Sequence, residues 1–254
     1  RNKGIEFEPY LGAEWTISAD QTKWRFKLRE GVTWHDGEVF NADDVVATTR
    51  RMLDPDFLTG SILVTMRSVL AGVEKIDDYT VEFDTGKPDA TAFTYFASHY
   101  FTMTPAHLIT GPNPASSDVE ERWKLMGPNV NLNQTGTWYI GTGPWAVKDW
   151  KLDTTLIGEK NENYFKFDED GVRLPYMQTL RYHDIPDGLR RLATFVSGNT
   201  EYSQGAGAGM TIRDATALCN QTKEEGCKLY KWEHGFGTIS NNTAQPIFQD
   251  PNVN

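Results

Sequence analysis

One short segment near the N-terminus concentrates side chains that can bind metals or transfer protons. It contains His35, Asp36 and Glu38, followed by Asp43 and Asp44. Imidazole and carboxylate groups are common metal ligands and common general acids and bases. Their spacing matches no metal motif, and a turn that leads into a helix with an acidic first turn accounts for every one of them. We therefore favour a structural role and predict no metal site here.

The other motifs that accompany chemistry are incomplete. The chain contains no Gly-x-Ser-x-Gly nucleophile motif. Gly205, Gly207 and Gly209 resemble a phosphate loop, but Met210 leaves the pattern unfinished, so a flexible connection is the better interpretation. Two of the 35 Asp and Glu residues could meet in the fold as a glycoside-hydrolysing pair, but no sequence pattern points to a particular pair. We predict no catalytic residue and no cofactor.

Composition narrows the class of protein. The 254 residues allow one large domain or two modest ones. With 8 Trp, 10 Tyr and 13 Phe, the chain is too aromatic to be disordered. A formal net charge of −10 disfavours binding to nucleic acid or to anionic lipid surfaces. The most apolar uncharged run, 62–66, is too short to cross a bilayer, and the N-terminus shows no targeting signal.

Local patterns predict the elements that position these side chains. Apolar Trp24, Phe26 and Leu28 alternate with basic residues, which indicates a half-buried strand. Glycine-rich turns follow over 30–37, and then a helix that Asn41 caps and whose apolar stripe ends before Pro55. These patterns predict a strand, a turn and a helix in succession.

Further elements are predicted along the rest of the chain. A hairpin is expected over 73–83 with its turn at 77–78, and Asp187 is expected to cap a helix that ends near Gly198. The segment 111–136 has the composition of a linker, and 205–209 that of a hinge. The remaining predictions are helices at 90–98 and 211–221 and strands near 145–147, 155–157, 180–182, 228–232 and 237–241.

Four blocks of sequence carry a resemblance when they are taken in order. The first spans 12–46 and includes Trp-His-Asp-Gly at 34–37, and the second begins with Gly-Thr-Gly-Pro-Trp at 141–145. The third lies within 174–198 and the last within 242–253. Together they resemble the family 5 extracellular solute-binding proteins of ABC importers, the dipeptide- and oligopeptide-binding type.

This resemblance implies an α/β (α+β) chain with the two-lobed, periplasmic-binding-protein-like fold of type II and an extra subdomain. Family members extend beyond both ends of this chain, so we expect it to be a partial chain that lacks most of the second lobe. The implied domains are an accessory subdomain of lobe 1 at 1–133, part of the ligand-facing lobe 1 at 134–205, and a truncated start of lobe 2 at 206–254.

The resemblance also implies a function. Proteins of this type are extracytoplasmic receptors that capture peptides or similar small solutes in a cleft between lobes and deliver them to a membrane permease. They are not enzymes, and they are periplasmic or extracellular, in some cases through a lipid anchor that would lie outside this chain. The implied partners are the solute and the permease, with no nucleic acid.

Candidate ligand contacts follow from the same resemblance. The strand ending at Asn242 resembles one that lines the cleft, and alternation with period 2 then selects every second residue. The glycine-proline turn at 141–144 is a weaker candidate. Packing within strands and turns is the alternative for each. The candidates are Phe236, Thr238, Ser240, Thr142, Gly143 and Trp232.

The two cysteines, Cys219 and Cys227, lack the Cys-x-x-Cys spacing of a zinc site and are too few for a disulfide scaffold. In an extracytoplasmic protein, which the resemblance implies, they would pair across a short loop. Such a disulfide would stabilise the fold by about 2 to 3 kcal/mol by restricting the unfolded chain. Two free thiols are the alternative.

Two other functions are open on the sequence alone. A solute-binding fold recruited as a structural component of a cell-surface assembly would co-purify with that assembly and bind no small molecule. A glycan or peptide hydrolase with an aromatic cleft would show turnover that one carboxylate substitution abolishes.

Overall fold

The computed structural model describes residues 7–54, 66–89, 91–98, 101–108, 140–151, 153–197, 199, 202–205, 227–231 and 238–242. The chain divides into two compact units. One comprises Arg1–Leu152 with Leu156–Arg181, and the other comprises Asp153–Thr155 with Tyr182–Asn254.

The described elements alternate between strands and short helices. In chain order they are β1 (Gly12–Ile17), β2 (Lys23–Leu28), α1 (Ala42–Leu53), β3 (Gly72–Asp77), β4 (Thr80–Asp84), α2 (Ala92–Phe96), a 3-10 turn (Ala106–Leu108), β5 (Trp145–Lys151), β6 (Thr155–Lys160), β7 (Thr179–His183), α3 (Gly188–Val196), β8 (Tyr202–Gly205), β9 (Cys227–Lys231) and β10 (Thr238–Asn242).

An antiparallel sheet with the order β1-β2-β4-β3 forms the first layer of the larger unit. On one face, Trp24 pairs with Phe83 and Phe26 with Val81, and all four side chains are buried. On the other face, the register sets cations opposite carboxylates, which places charge in water and apolar surface in the core. The predicted alternation of β2 is confirmed.

Helix α1 packs against β3 and β4. Its predicted cap is confirmed: the Asn41 side chain accepts from the Asp43 N–H at 2.8 Å, and Asp44 accepts in return from the Asn41 N–H at 3.0 Å. The helix ends at Leu53, with Asp54 as its C-cap ahead of Pro55. Val45 and Val46 are buried as the stripe requires.

The hairpin predicted over 73–83 is observed as β3 and β4, although Asp77 still belongs to the strand and the turn moves to Asp78 and Tyr79. The helix predicted at 90–98 is shorter, covering Ala92–Phe96. No side chain caps its N-terminus, and it has neither an acidic first turn nor a basic last turn, so little besides packing supports it.

Strands β5, β6 and β7 form a second sheet in that order, which confirms the three strands predicted there. Helix α3 follows, and the Arg190 N–H donates to the Asp187 carboxylate at 2.7 Å, as expected for the predicted cap. Gly198, the predicted end marker, is outside the described residues.

A third sheet has the order β8-β10-β9 and is antiparallel throughout. It confirms the strands predicted near 228–232 and 237–241 and adds β8, which the sequence did not predict. The linker at 111–136 and the helix at 211–221 are outside the described residues, as are 206–209 of the hinge. The domain boundaries at 133–134 and 205–206 border such residues and stay predictions.

Candidate functional site

The turn 141–143, with the sequence Gly-Thr-Gly, lies immediately before Pro144 and β5. Two predicted candidates are in it: Thr142 is buried and Gly143 is half-buried. The turn belongs to the same compact unit as the four-stranded sheet.

His35 holds this turn through three hydrogen bonds. Its backbone N–H donates to the Gly141 carbonyl at 2.9 Å. Its ring atom Nδ1 accepts from the Gly141 N–H at 3.2 Å, and Nε2 lies 3.0 Å from the Gly143 carbonyl oxygen. A residue of the Trp-His-Asp-Gly sequence therefore contacts a segment more than a hundred positions away, at a separation of 106 to 108 residues.

Asn161 supports the turn from the other side. Its side-chain Nδ2 donates to the Gly143 carbonyl at 3.0 Å, and its backbone N–H donates to the Pro144 carbonyl at 2.8 Å. The Gly143 oxygen thus has two partners, which saturates its two lone pairs. Hydrogen bonds from His35 and Asn161 therefore hold the turn at its first and third residues.

A cavity of about 710 Å³ lies beside the turn, within the larger unit. Its volume is in the range of small-molecule pockets, about 300 to 1,000 Å³. Its walls are mainly aromatic and aliphatic, with a few polar groups. Among the lining residues are Phe7, Tyr10, Trp15, Phe93, Phe96, Phe101, Met103, Gly141, Thr142 and Gly143.

Aromatic rings in the cavity wall form one connected cluster. Phe93 is at its centre: its ring centroid lies 4.3 Å from that of Phe7 and 4.8 Å from that of Trp15. Phe96 extends the cluster, 4.7 Å from Phe83 and 5.8 Å from Phe101. Edge-to-face and tilted arrangements at these distances are favourable, so the wall is a packed aromatic surface.

Polar groups are few at this site. The Tyr10 hydroxyl, on the cavity wall, lies 3.1 Å from the Tyr164 hydroxyl. Burial raises the pKa of Tyr164, and the contact with Tyr10 adds to that rise. The Tyr164 phenol therefore stays neutral at physiological pH and acts by hydrogen bonding. The cavity can enclose an apolar or amphipathic group. Among the described residues that line it, we identify no pair of side chains arranged for proton transfer.

Carboxylates of the acidic segment 35–44 have structural partners. Asp44 accepts from the Trp34 indole at 3.1 Å and from the Ala106 N–H at 2.7 Å, besides capping α1. Burial raises the pKa of Asp44, and these hydrogen bonds oppose the rise. Asp36 lies 2.7 Å from His107. The helix-cap and turn interpretation is thus confirmed for these carboxylates. Within the part of the chain that the structure describes, no three His, Cys, Asp or Glu residues are arranged to hold a metal.

In the smaller unit, Thr238 and Ser240 are two residues apart on β10, the central strand of its sheet. Ser240 is in register with Ser203 and with Leu229. The candidates Phe236 and Trp232, like Cys219, are outside the described residues, and Cys227 opposes Asn242 in the backbone register. The ligand role of these residues and the pairing of the cysteines stay predictions.

Sequence reasoning missed the residues that hold the turn. It treated His35 as part of a local turn and gave His107 a structural role without a partner, and it did not single out Asn161. The available signals were the Gly-Thr-Gly-Pro sequence at 141–144 and the histidine of Trp-His-Asp-Gly at 34–37, and nothing in the sequence joined them. Among the described residues, no helix is long and apolar enough to cross a bilayer.

Comparison with known proteins places these features in context. The profile described as "Bacterial extracellular solute-binding proteins, family 5 Middle" matches residues 6–254. The heme-binding protein A of Haemophilus influenzae is 27% identical over 211 residues, which cover 77% of this chain and 35% of that protein. The dipeptide-binding protein DppE of Bacillus subtilis is 29% identical over 179 residues, covering 68% of this chain and 31% of that one.

Solved structures show the same architecture. The oligopeptide-binding protein AppA of Bacillus subtilis, solved in complex with a nonapeptide, has a TM-score of 0.64 and 24% identity. The match covers 87% of this chain and 38% of that chain. The likeness confirms the type II binding-protein fold predicted from the sequence. The chain spans about a third of the length of the curated relatives that it matches.

Proposed function

The chain belongs to the bacterial extracellular solute-binding proteins of family 5, and on that premise we propose that the full-length protein is the receptor of an ABC importer. It captures a small solute and delivers it to a membrane permease. The observation that carries this proposal is the family profile, which matches residues 6–254. Members of this family are periplasmic or extracellular, and they bind solutes rather than transform them.

The solute class that we propose is peptides or similar small solutes. Support comes from DppE, which is named as a dipeptide-binding protein, and from AppA, whose structure contains a nonapeptide. The heme-binding relative shows that similar chains carry names for other solutes.

The proposed action is binding without turnover. Affinity would come from desolvated aromatic contacts and a few placed polar groups, and selectivity from leaving those groups unpaired with a wrong solute. The aromatic wall and the scarcity of polar groups around the cavity support this kind of site. The hydrolase and surface-assembly alternatives gain no support, because the relatives are named as binding proteins.

We further propose which residues contact solute. In the larger unit, Thr142 and Gly143 are supported by their place on the wall of the cavity. In the smaller unit, Thr238 and Ser240 are proposed from the period-2 alternation of residues in β10, the strand that ends at Asn242. Phe236 and Trp232 remain proposed contacts on the family resemblance alone. A lipid anchor outside this chain is proposed on the same ground.

Calorimetric titration of the full-length protein with peptides of two to nine residues tests the function. We expect one-to-one binding with a dissociation constant of about 1 μM or tighter for at least one peptide. Thr142→Val, which removes the hydroxyl at nearly constant volume, should weaken that binding by about tenfold if the hydroxyl contacts the solute. Cleavage of a peptide during the titration would favour the hydrolase instead, and absence of binding to every peptide would contradict the peptide assignment.

A further inference from the structure

Resting on the proposed function, we propose that the turn 141–143 and the cavity beside it form a subsite for one phenylalanine-like residue of a peptide. The backbone of Thr142 and Gly143 binds the peptide group of that residue, and the aromatic wall of the cavity binds its side chain. Hydrogen-bonding groups of the turn, the open surface of the wall and the charges around the cavity support this assignment.

The two glycines of the turn have hydrogen bonds that anchor it. The Gly141 N–H donates to Nδ1 of His35 at 3.2 Å, and the Gly141 carbonyl accepts from the His35 N–H at 2.9 Å. The Gly143 carbonyl accepts from the Asn161 side chain at 3.0 Å and also contacts Nε2 of His35. These groups hold the turn to the rest of the unit, so they are not available to a solute.

Four other groups of the turn have no such partner. Among the described residues, nothing forms a hydrogen bond with the N–H, the carbonyl or the hydroxyl of Thr142, or with the N–H of Gly143. Thr142 is only 9% exposed, and unpaired backbone groups are rare in buried residues because they lose their hydrogen bonds to water. Both residues line the cavity, where a bound solute can supply the missing partners.

The chemistry of these groups matches an uncharged peptide group. They comprise backbone N–H donors and a carbonyl acceptor, and a peptide group carries one acceptor and one donor. A carboxylate is only an acceptor, and it is charged. Glu8 is the one charged residue among the described residues that line the cavity. Because no cation is among them, an unpaired carboxylate would be more costly to bury there than a peptide group.

The wall has aromatic surface left for a side chain. Phe93, Phe96, Phe101 and Met103 line the cavity, and each keeps part of its surface exposed. The rings of Phe96 and Phe101 are edge to face with centroids 5.8 Å apart, an arrangement that a further ring can extend. A volume of about 710 Å³ accommodates a phenyl side chain together with its peptide group.

Calorimetric titration of the full-length protein with tripeptides tests the subsite. The probes are Ala-Phe-Ala, trialanine, Ala-Asp-Ala and the two forms of Ala-Phe-Ala that carry a methyl group on one peptide nitrogen. We expect Ala-Phe-Ala to bind about thirtyfold more tightly than trialanine, because its ring leaves water, and Ala-Asp-Ala to bind most weakly. One of the two N-methylations, which removes an N–H donor, should weaken binding by about tenfold.

Gly143→Ala tests the backbone contact. A Cβ added at Gly143 meets no atom within 4 Å, and Gly143 is not among the glycines with positive φ, so the variant should keep the unfolding temperature of the wild-type protein. Its methyl group would stand beside the Gly143 N–H and should weaken binding of Ala-Phe-Ala by about tenfold. The penalty for N-methylation of the probe should then fall below about threefold, because the contact is already lost.

Two further variants serve as controls. Gly72→Ala is matched to Gly143→Ala, because a Cβ added at Gly72 also meets no atom within 4 Å and Gly72 is not among the residues that line the cavity. It should bind every probe as the wild-type protein does. Thr142→Val keeps both N–H groups and the carbonyl, so it should retain the penalty for N-methylation whatever the hydroxyl contributes.

The outcomes separate the subsite from the proposed function. Equal affinity for Ala-Phe-Ala and trialanine, or for Ala-Phe-Ala and Ala-Asp-Ala, would overturn the role of the aromatic wall. If Gly143→Ala binds the probes as the wild-type protein does, or if Gly72→Ala loses as much affinity, the subsite is overturned while the proposed function stands. If the wild-type protein binds none of the tripeptides, the subsite is again overturned, and the titration with peptides of two to nine residues decides the function separately.

Discussion

The four-stranded sheet β1-β2-β4-β3 and the three-stranded sheet β5-β6-β7 place their apolar side chains differently. In the first, every second residue of β2 and β4 is buried against the core. In the second, all five residues of β7 are exposed, and Gly158 is the one buried residue described in the three strands. Leu180 and Tyr182 of β7 are among the exposed large apolar residues.

This difference shows which of the two sheets buries its apolar side chains against other described residues. The first sheet finds its partners in α1 and in the aromatic residues of α2, and the buried residues of this core cluster lie within 24–92. The second sheet has backbone pairing but few buried side chains within the described part of the chain. We infer that the first region has its stability from side-chain burial and the second mainly from its ladder hydrogen bonds.

The largest expected difference between the regions is in the cost of removing an aromatic ring. Phe40 is fully buried, with its ring 5.9 Å from that of Trp34, whereas Tyr182 is 60% exposed. We expect Phe40→Ala to destabilise its region by about 4 kcal/mol, and Tyr182→Ala to change stability by less than about 0.5 kcal/mol. Urea titration followed by local hydrogen exchange measures both. Similar costs at the two sites would break the comparison.

A smaller difference is expected for carboxylates. Asp44→Ala leaves the Trp34 indole and the N–H groups of Asn41 and Ala106 without their acceptor, at a cost of about 3 kcal/mol. Asp43→Ala is the matched control. The Asp43 carboxylate is largely exposed, and among the described residues it pairs only with Lys75. The midpoint of chemical denaturation of α1 is the measurement. Equal effects of the two substitutions would show that burial of Asp44 does not matter.

The two sheets should differ less in the coupling energy of their cross-strand ion pairs. Arg25 and Glu82 pair at 2.7 Å on the first sheet, and Lys148 pairs with Glu159 on the second. Glu82 is the more enclosed acid, 17% exposed against 51% for Glu159. A double-mutant cycle should give a coupling below about 1 kcal/mol for each pair, and the larger value for the first. The opposite ranking would contradict the role assigned to enclosure.

The smallest expected effect is on the pH dependence of stability in the acidic range. The hydrogen bond from Lys23 lowers the pKa of Asp84, and the Gly86 N–H lowers it further. A carboxyl whose pKa is lower in the folded state stabilises the fold above its unfolded pKa, and that contribution is lost as pH falls through the folded pKa. Asp84→Asn should therefore be less stable at pH 7 and lose less stability on acidification below about pH 4. An unchanged slope of stability against pH would refute this.

Prediction from sequence succeeded where the structure depends on residues that are close together in the chain. Asn41 directly precedes the helix that it caps, and the alternation of β2 spans six residues, so the cap and the alternation could both be predicted and both are confirmed. The family and its fold could also be predicted, because four separated blocks preserve their order. Helix α2 was overestimated because its end signals are absent, and packing by Phe93 and Phe96 fixes only a short turn.

The candidate site could be predicted only in part. Thr142 and Gly143 were predicted as candidates and lie beside a cavity, and their contact with solute stays a prediction. The two residues that hold the turn, His35 and Asn161, come from other segments of the chain. The bond from His35 to Gly143 spans 108 positions, and a periodic pattern carries no information at that range. Sheet order is subject to the same limit: pairing of β2 with β4 rather than β3 follows from long-range packing.

The carboxylate of Asp44 joins residues that a ribosome makes at different times. Trp34 and Asn41 precede it, so two of its donors exist as soon as α1 has been synthesised. Ala106 follows 62 residues later, and until then the buried acid lacks one partner. A carboxylate short of a donor favours hydration or protonation. A nascent chain that ends before residue 106 therefore lacks the donor that completes the hydrogen bonds of the Asp44 carboxylate.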